Sequence, residues 1–162
     1  MLMSIKNPTT IVEASIIGNL EGGEFVVQQN GIDLTLASAE EIRGGILEKD
    51  KPTIDKYTNV LETPLGFVFE AGRVYSIWFQ QEIKLPANLC AQIVQRSSLN
   101  RMGGMITTGL YDSGFQGQLG AVLRVDAPII IEKGARVAQV IFMEAESASL
   151  YDGRYQKSQA AK

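Results

Sequence analysis

The chain has 162 residues, 45% apolar and 20% charged, enough to bury one ordinary core, and its formal charge of −3 gives no general attraction for a polyanion. Histidine is absent and Cys90 is the only cysteine. These two counts exclude an internal disulfide, structural zinc sites, zinc-activated deamination of the His/Cys/Cys type, and Ser-His or Cys-His nucleophile pairs.

Hydrolysis, if it occurs, must run on carboxylates, hydroxyls, amides and arginines, and any bound phosphate must be held by local geometry. No apolar run approaches the ~20 residues of a membrane span. Met1–Ile16 lacks the basic start and long apolar middle of a signal peptide. A soluble, cytoplasmic protein with no membrane and no stable nucleic-acid partner is the expectation. Sixteen glycines against five prolines point to many tight turns and a β-rich chain.

In chain order, Pro8–Ile17 reads as a short helix with Asn7 as N-cap and Pro8 at the first helical position. Phe25–Gln29 and Ile32–Leu36 read as strands, the second with Ile32, Leu34 and Leu36 on one face and Asp33 and Thr35 on the other. The polar stretch Ser38–Asn59 reads as an inserted loop or peripheral hairpin. After it, Leu65–Phe69, Val74–Phe79, Leu89–Val94, Gln118–Val125, Pro128–Ile131 and Val137–Phe142 are short strands separated by glycine or proline. The expectation is one all-β domain over 1–162, a sandwich or barrel, with a polar tail over 147–162.

Three segments carry chemistry. Ser98–Met102 reads as a second helix with Ser97 as N-cap and Gly103–Gly104 as its stop; Arg96, Ser97 and Ser98 at its start suit a phosphate, or else mark a capped helix with a surface arginine. Gly109–Gly117 reads as a tight β-hairpin with three glycines, Asp112 and an exposed-looking Phe115. Its backbone can read the edge of a planar base while Asp112 takes a proton from water, or it is an Asp-Ser-Gly turn beside a core phenylalanine. Gly134–Phe142 is a turn feeding an amphipathic strand, from which Arg136 and Gln139 reach a ligand or solvent. The tail, with Tyr151, Arg154, Tyr155, Gln156 and Lys157, either frays or folds over an anion.

Taken in order, Asn30-Gly31-Ile32-Asp33-Leu34, Arg96-Ser97-Ser98-Leu99, the Gly109–Gly117 segment and Arg136-Val137-Ala138-Gln139 resemble the successive motifs of the dUTPase and dCTP deaminase superfamily. Gly109–Leu119 is similar to the uracil-binding hairpin of homotrimeric dUTPases. The run from Arg96 to Arg101, the Leu85-Pro86 pair and the tyrosine-containing ending resemble archaeal or viral deaminase-like members. The whole therefore resembles a monofunctional dUTPase of that branch.

The resemblance implies a distorted β-barrel or jelly-roll subunit with one or two short helices, assembled as a homotrimer with shared active sites. It implies hydrolysis of dUTP to dUMP and pyrophosphate, with Mg²⁺ held by triphosphate oxygens and not by a protein cage. By that likeness Asp112 is the catalytic base. Arg96, Ser97, Ser98 and Gln139 bind phosphates, joined by Tyr155 and Gln156 of the tail. The backbone at Gly109, Leu110 and Tyr111 reads uracil, and Phe115 lies under the deoxyribose. Asp33 and Arg101 support the site, Asp33 either through a metal-bound water or as a turn-stabilising carboxylate.

Departures bear on the reaction. The deaminases carry a proton-shuttling glutamate ten residues beyond the equivalent of Asp112; here that position is Val122. Phe115 stands where trimeric dUTPases often have tyrosine, Gly114 where they often have a second aspartate, and their glycine-rich tail is missing. Two alternatives accompany the dUTPase reading: a dCTP deaminase or bifunctional enzyme, and a catalytically weak nucleotide-sensing protein whose insert over 38–59 faces a partner.

Overall fold

In the computed structural model, which describes residues 4–50, 52–54 and 58–160, Asn7 caps helix α1 (Pro8–Glu13). Its side-chain oxygen accepts the Thr9 N–H at 2.9 Å, and Pro8 sits where a missing N–H costs nothing. The helix is shorter than the expected Pro8–Ile17, because Ser15 takes a left-handed φ of 54° and Ile17 opens strand β1 (Ile17–Asn19). Phe25–Gln29 is not a strand; only Val27 bridges to Ile32. The chain doubles back at once, with Gln28 N–H donating to Gly31 C=O, which leaves no length for a ladder.

Strand β2 (Ile32–Glu41) runs further than its alternating start suggested and takes in Ser38–Glu41, the beginning of the expected insert. The protruding part is smaller. Strands β3 (Gly45–Leu47) and β4 (Pro52–Ile54) form an isolated hairpin, and β5 (Thr58–Asn59) returns to pair with Glu40 and Glu41. Polar residues continue β2 because neighbouring strands supply its ladder on both sides, whatever its outward side chains are.

There follow β6 (Glu62–Thr63), β7 (Gly66–Phe69), β8 (Arg73–Lys84), β9 (Leu89–Gln95), helix α2 (Ser97–Arg101) and β10 (Gly104–Thr107). The last strands are β11 (Gln116–Val125), β12 (Ile129–Ile131) and β13 (Arg136–Glu144). The main sheet has the order β10-β11-β8-β2-β13-β9, with β1 added on β8, and β12-β7-β6 form a small second sheet. Its two edge strands meet: Ile106 N–H of β10 donates to the Gln95 side chain at the end of β9 at 2.7 Å, and Ala91 bridges Tyr111. The result is the expected distorted barrel.

The barrel turns its corner at Thr35–Ala37. The first half of β2 pairs with β13 and the second with β8, with a register shift in each ladder at this point. Buried Gln81 supplies the missing partners: its oxygen accepts Thr35 N–H at 2.9 Å and its amide donates to the Thr35 hydroxyl at 3.0 Å. Inside, Leu34, Leu36, Phe79, Leu123, Val140 and Phe142 are among the fully buried side chains.

Close backbone approach also fixes the small sheet. Gly66, with φ +127°, would place a Cβ 2.3 Å from the Ile131 carbonyl oxygen. Gly66→Ala is expected to destabilise the protein by about 2 to 3 kcal/mol, read as a lower urea midpoint at unchanged m. A midpoint indistinguishable from wild type would show that β12 moves aside freely.

Candidate active site

The ladder between β10 and β11 runs from Gly104↔Val125 to Thr107↔Val122 and stops. Gly109–Gly117, expected as a tight hairpin, is instead an open loop whose arms diverge. Two causes are visible. On one arm, β11 bulges between Gln118 and Gly120 against β8, and buried Gln118 plugs the bulge by donating to the Phe79 carbonyl at 2.7 Å. The other arm is drawn to β9. Tyr111 and Ala91 exchange both backbone bonds, at 2.9 and 3.0 Å, and the Ser113 hydroxyl donates to Leu89 C=O at 2.8 Å. Leu85 N–H donates to Phe115 C=O at 2.8 Å, so the Leu85-Pro86 corner holds the loop tip.

Between the arms lies a cavity of about 530 Å³. Thr107 to Asp112 line one side and Gly120 to Val122 the other, with Ser76 and Trp78 of β8 behind them. Gly109, Leu110, Tyr111 and Asp112 therefore stand together as expected. Asp112 is exposed and, among the described residues, is the only carboxylate in the lining. Val122 faces the same cavity. Trp78 and Ser76 were missed in the sequence; their alternation on the outer face of β8 marks an exposed strand face and gives no sign that β11 opens over it.

Phe115 follows the second of its two readings, a core phenylalanine beside an Asp-Ser-Gly turn, with its N–H donating to Asp112 C=O at 3.0 Å. It is buried, 4% exposed, with its ring edge-on to Tyr111 at 5.0 Å and to Tyr151 at 5.8 Å, though it still forms part of the cavity wall. The tail covers it. Gln156 accepts Gln116 N–H at 2.8 Å and donates to Gly114 C=O at 2.9 Å, and Lys157 N–H and Ser158 C=O bond along Gln116 and Gln118. The tail thus folds back on its own chain. Tyr155 lines the cavity with its side chain largely exposed, whereas the Gln156 amide is committed to the loop.

The residues expected to bind phosphate gather elsewhere. Asp33, whose side chain is fully buried, accepts Gln28 at 3.0 Å, Arg96 at 2.5 Å and Arg136 at 3.2 Å on one oxygen, and Gln139 at 2.9 Å on the other. Two guanidiniums on one carboxylate leave a cationic patch. Arg96, not Ser97, occupies the N-cap position of α2 and makes no side-chain cap bond, since a guanidinium has no acceptor for a backbone N–H; it reaches Asp33 instead. Ser97 and Ser98 are exposed on the first turn, and Arg101 is exposed on the last. Gly103, with φ +89°, ends this five-residue helix, which is too short to add much dipole field.

None of Asp33, Arg96, Ser97, Ser98, Arg101 or Gln139 lines the cavity beside Asp112. One chain therefore keeps two groups of expected site residues apart, a slot with a carboxylate and a patch with guanidiniums and hydroxyls. Among the described residues no three His, Cys, Asp or Glu side chains group together to hold a metal. Both Asp33 oxygens are already taken. Burial pushes the Cys90 thiol pKa up, with the Asp112 charge acting in the same direction, so it remains protonated near neutral pH and is a poor nucleophile. No helix among the described residues is long and apolar enough to cross a membrane.

Residues 9–145 match the family described as dCTP deaminase-like, and the chain belongs to that family. It is 32% identical over 142 residues to the deoxyuridine 5'-triphosphate nucleotidohydrolase of Methanocaldococcus jannaschii, covering 85% of this chain and 90% of the relative. Among solved structures, the dCTP deaminase of Agrobacterium tumefaciens matches with a TM-score of 0.70 at 20% identity, over 90% of this chain and 49% of that one. The chain thus spans about half of that deaminase chain. A dUTPase from phage phi11 of S. aureus, described with a structural Mg(II) ion, matches with a TM-score of 0.56 at 13% identity, over 85% of this chain and 95% of that one. These structural likenesses carry the fold.

The Asp33 cluster predicts its own fragility. Asp33→Asn keeps the shape but places an amide among four donors, and is expected to cost about 3 kcal/mol of stability, less than a fully buried pair because both guanidiniums keep some water contact. Denaturant unfolding checks it; a loss under about 0.5 kcal/mol would show that the cluster is not held by charge.

Proposed function

We propose that the protein is a dUTP diphosphatase, hydrolysing dUTP to dUMP and pyrophosphate by attack of water on the α-phosphorus. The observation that carries this reading is the composition of the cavity wall: Asp112 is its one carboxylate among the described residues, and Val122, which stands where the resemblance puts the deaminases' proton-shuttling glutamate, lines the same wall. A carboxylate at the mouth of a base-sized slot can take a proton from water. A valine cannot move one to an exocyclic amine. The archaeal relative of that activity, and others named likewise at 27% to 37% identity, support the same choice.

In this proposal the arms of the loop take uracil edge-on through backbone groups at Gly109, Leu110 and Tyr111, and Phe115 walls the sugar side. Asp112 orients the water and accepts its proton. Arg96 and Gln139, oriented by Asp33, bind the phosphates together with Ser97 and Ser98, and Arg96 meets the charge that develops on the leaving pyrophosphate. Tyr155 reaches toward the phosphates from the tail. Mg²⁺ enters as part of the substrate, coordinated by the triphosphate, where it neutralises charge.

The separation of slot and patch supports a homotrimer in which the slot of one chain meets the guanidinium patch of its neighbour. Asp112→Asn, which keeps the shape and removes the base, is expected to bind nucleotide and lose at least about a hundredfold in kcat. Arg96→Ala should raise the KM for dUTP far more than the Kd for dUMP, which lacks the leaving phosphates.

Shared sites make a sharper demand. Co-expressing Asp112→Asn with Arg96→Ala should restore part of the activity that neither variant has alone, since mixed trimers contain some sites with both residues intact. No recovery in mixed oligomers shown by mass to contain both variants would rule out sharing. The reaction itself is tested by incubating the protein with Mg²⁺ and, separately, dUTP, dCTP, dTTP and UTP, measuring pyrophosphate and ammonia. Pyrophosphate from dUTP is expected; ammonia from dCTP would overturn the assignment.

A further inference from the structure

One side-chain atom ties the two arms of the open loop together. The Tyr111 phenol donates to the Gly120 carbonyl at 2.6 Å and accepts the Gly120 N–H at 3.1 Å. Gly120 lies opposite Trp78, just past the β11 bulge and beyond the last β10 pair, so its two backbone groups have no strand to meet on that side. The phenol satisfies both.

The near end of this tie is rigid. The Tyr111 backbone exchanges two bonds with Ala91, and its ring packs edge-on against Phe115. The far end is close-packed too: a Cβ on Gly120 would stand 3.1 Å from Trp78 Cε3. Burial pushes the Tyr111 pKa up, so the phenol keeps its proton and goes on donating at neutral pH.

We infer that Tyr111 is a strap that sets the width of the base slot, holding the arms at a separation that admits uracil and turns away a base with an added group on its in-plane edge, thymine first. The inference rests on the proposed dUTP reading and adds a role for the side chain as a positioning group; only the Tyr111 backbone meets the base. A shape-only pocket discriminates one methyl weakly, by roughly ten- to two-hundredfold. How much of that range is realised depends on how stiffly the walls are held, and two hydrogen bonds across the gap supply the stiffness.

Tyr111→Phe keeps the ring and removes the tie. The measurements are kcat/KM for dUTP and dTTP, Kd for dUMP and dTMP, and hydrogen exchange at the Gly120 amide, on wild type and variant. The expected result is a fall of about tenfold in both the dUTP:dTTP and the dUMP:dTMP preference, matching roughly 1.4 kcal/mol of lost restraint, with faster Gly120 exchange. Unchanged ratios would overturn the strap, and so would equal losses on uracil and thymine nucleotides, which mean a general loosening without a role in selectivity. Wild-type protein that hydrolyses none of these triphosphates would fail the dUTPase reading itself, and this inference with it. Wild type active on dUTP beside a variant of unchanged preference fails the strap alone.

Discussion

A single buried carboxylate organises one half of this molecule. Asp33 stands near the start of β2, the strand that changes sheets, and its four donors come from the leg before it, from the junction of β9 with α2, and from β13. An unpaired carboxylate at that depth would cost several kcal/mol. The surrounding chain is therefore committed to bringing guanidiniums and amides to it. The same commitment orients Arg96, Arg136 and Gln139 with part of their surface facing outward, so a requirement of folding becomes a preorganised cationic patch. Asp33 is best understood as the group that aims these side chains. Three of its four donors meet at Oδ2, and Gln139 alone donates to Oδ1.

The other half depends on an interruption of pairing. β11 bulges at Leu119, β10 ends at Thr107, and the intervening loop is pulled to β9 and to the Leu85-Pro86 corner. A continuous hairpin would have closed its ladder and left no cavity. The cost of the opening is met by side chains: Gln118 fills the bulge, and the Tyr111 phenol pairs with the stranded groups of Gly120. The tail completes the arrangement by laying its backbone along Gln116 and Gln118 and its Tyr151 ring on Phe115. That a loop of this kind needs so many unlike supports explains why polar Gln118 is buried.

What was legible in the sequence was local or strongly patterned. Asn7 and Pro8 define a helix start by their own chemistry, and Ile32, Leu34 and Leu36 declare a buried strand face. The order of the four motif segments was enough to carry the family. What was not legible depended on partners distant in the chain. Ser38–Glu41 continue β2 because β8 and β5 pair with them, a fact absent from their composition. Phe115 reads either as an exposed wall or as a core phenylalanine, and what decides for the core is Tyr151, far along the chain, which covers it. Ser97 is a better cap by propensity than Arg96, but the pull of Asp33 outweighs a capping bond of about 1 kcal/mol. Trp78 was invisible as a cavity residue because nothing near it marks where β11 bulges.

The barrel is shared by enzymes of two reactions, so the choice between them must lie in the walls of the slot. Deamination requires a group at the far end of the base that both takes and returns a proton. Val122, Ala121 and Trp78 line the slot, and none of their side chains can take and return a proton in this way. Phosphoanhydride hydrolysis asks less of the base end: recognition of shape and edge there, a carboxylate at the mouth, and cationic groups along the phosphates. A chain without histidine can meet all three conditions. The cationic groups of one chain do not line the slot that holds its own carboxylate, and in the proposed reaction a second copy brings its Asp33-anchored patch to the first copy's Asp112. Assembly and catalysis then become one problem, solved at the same surface.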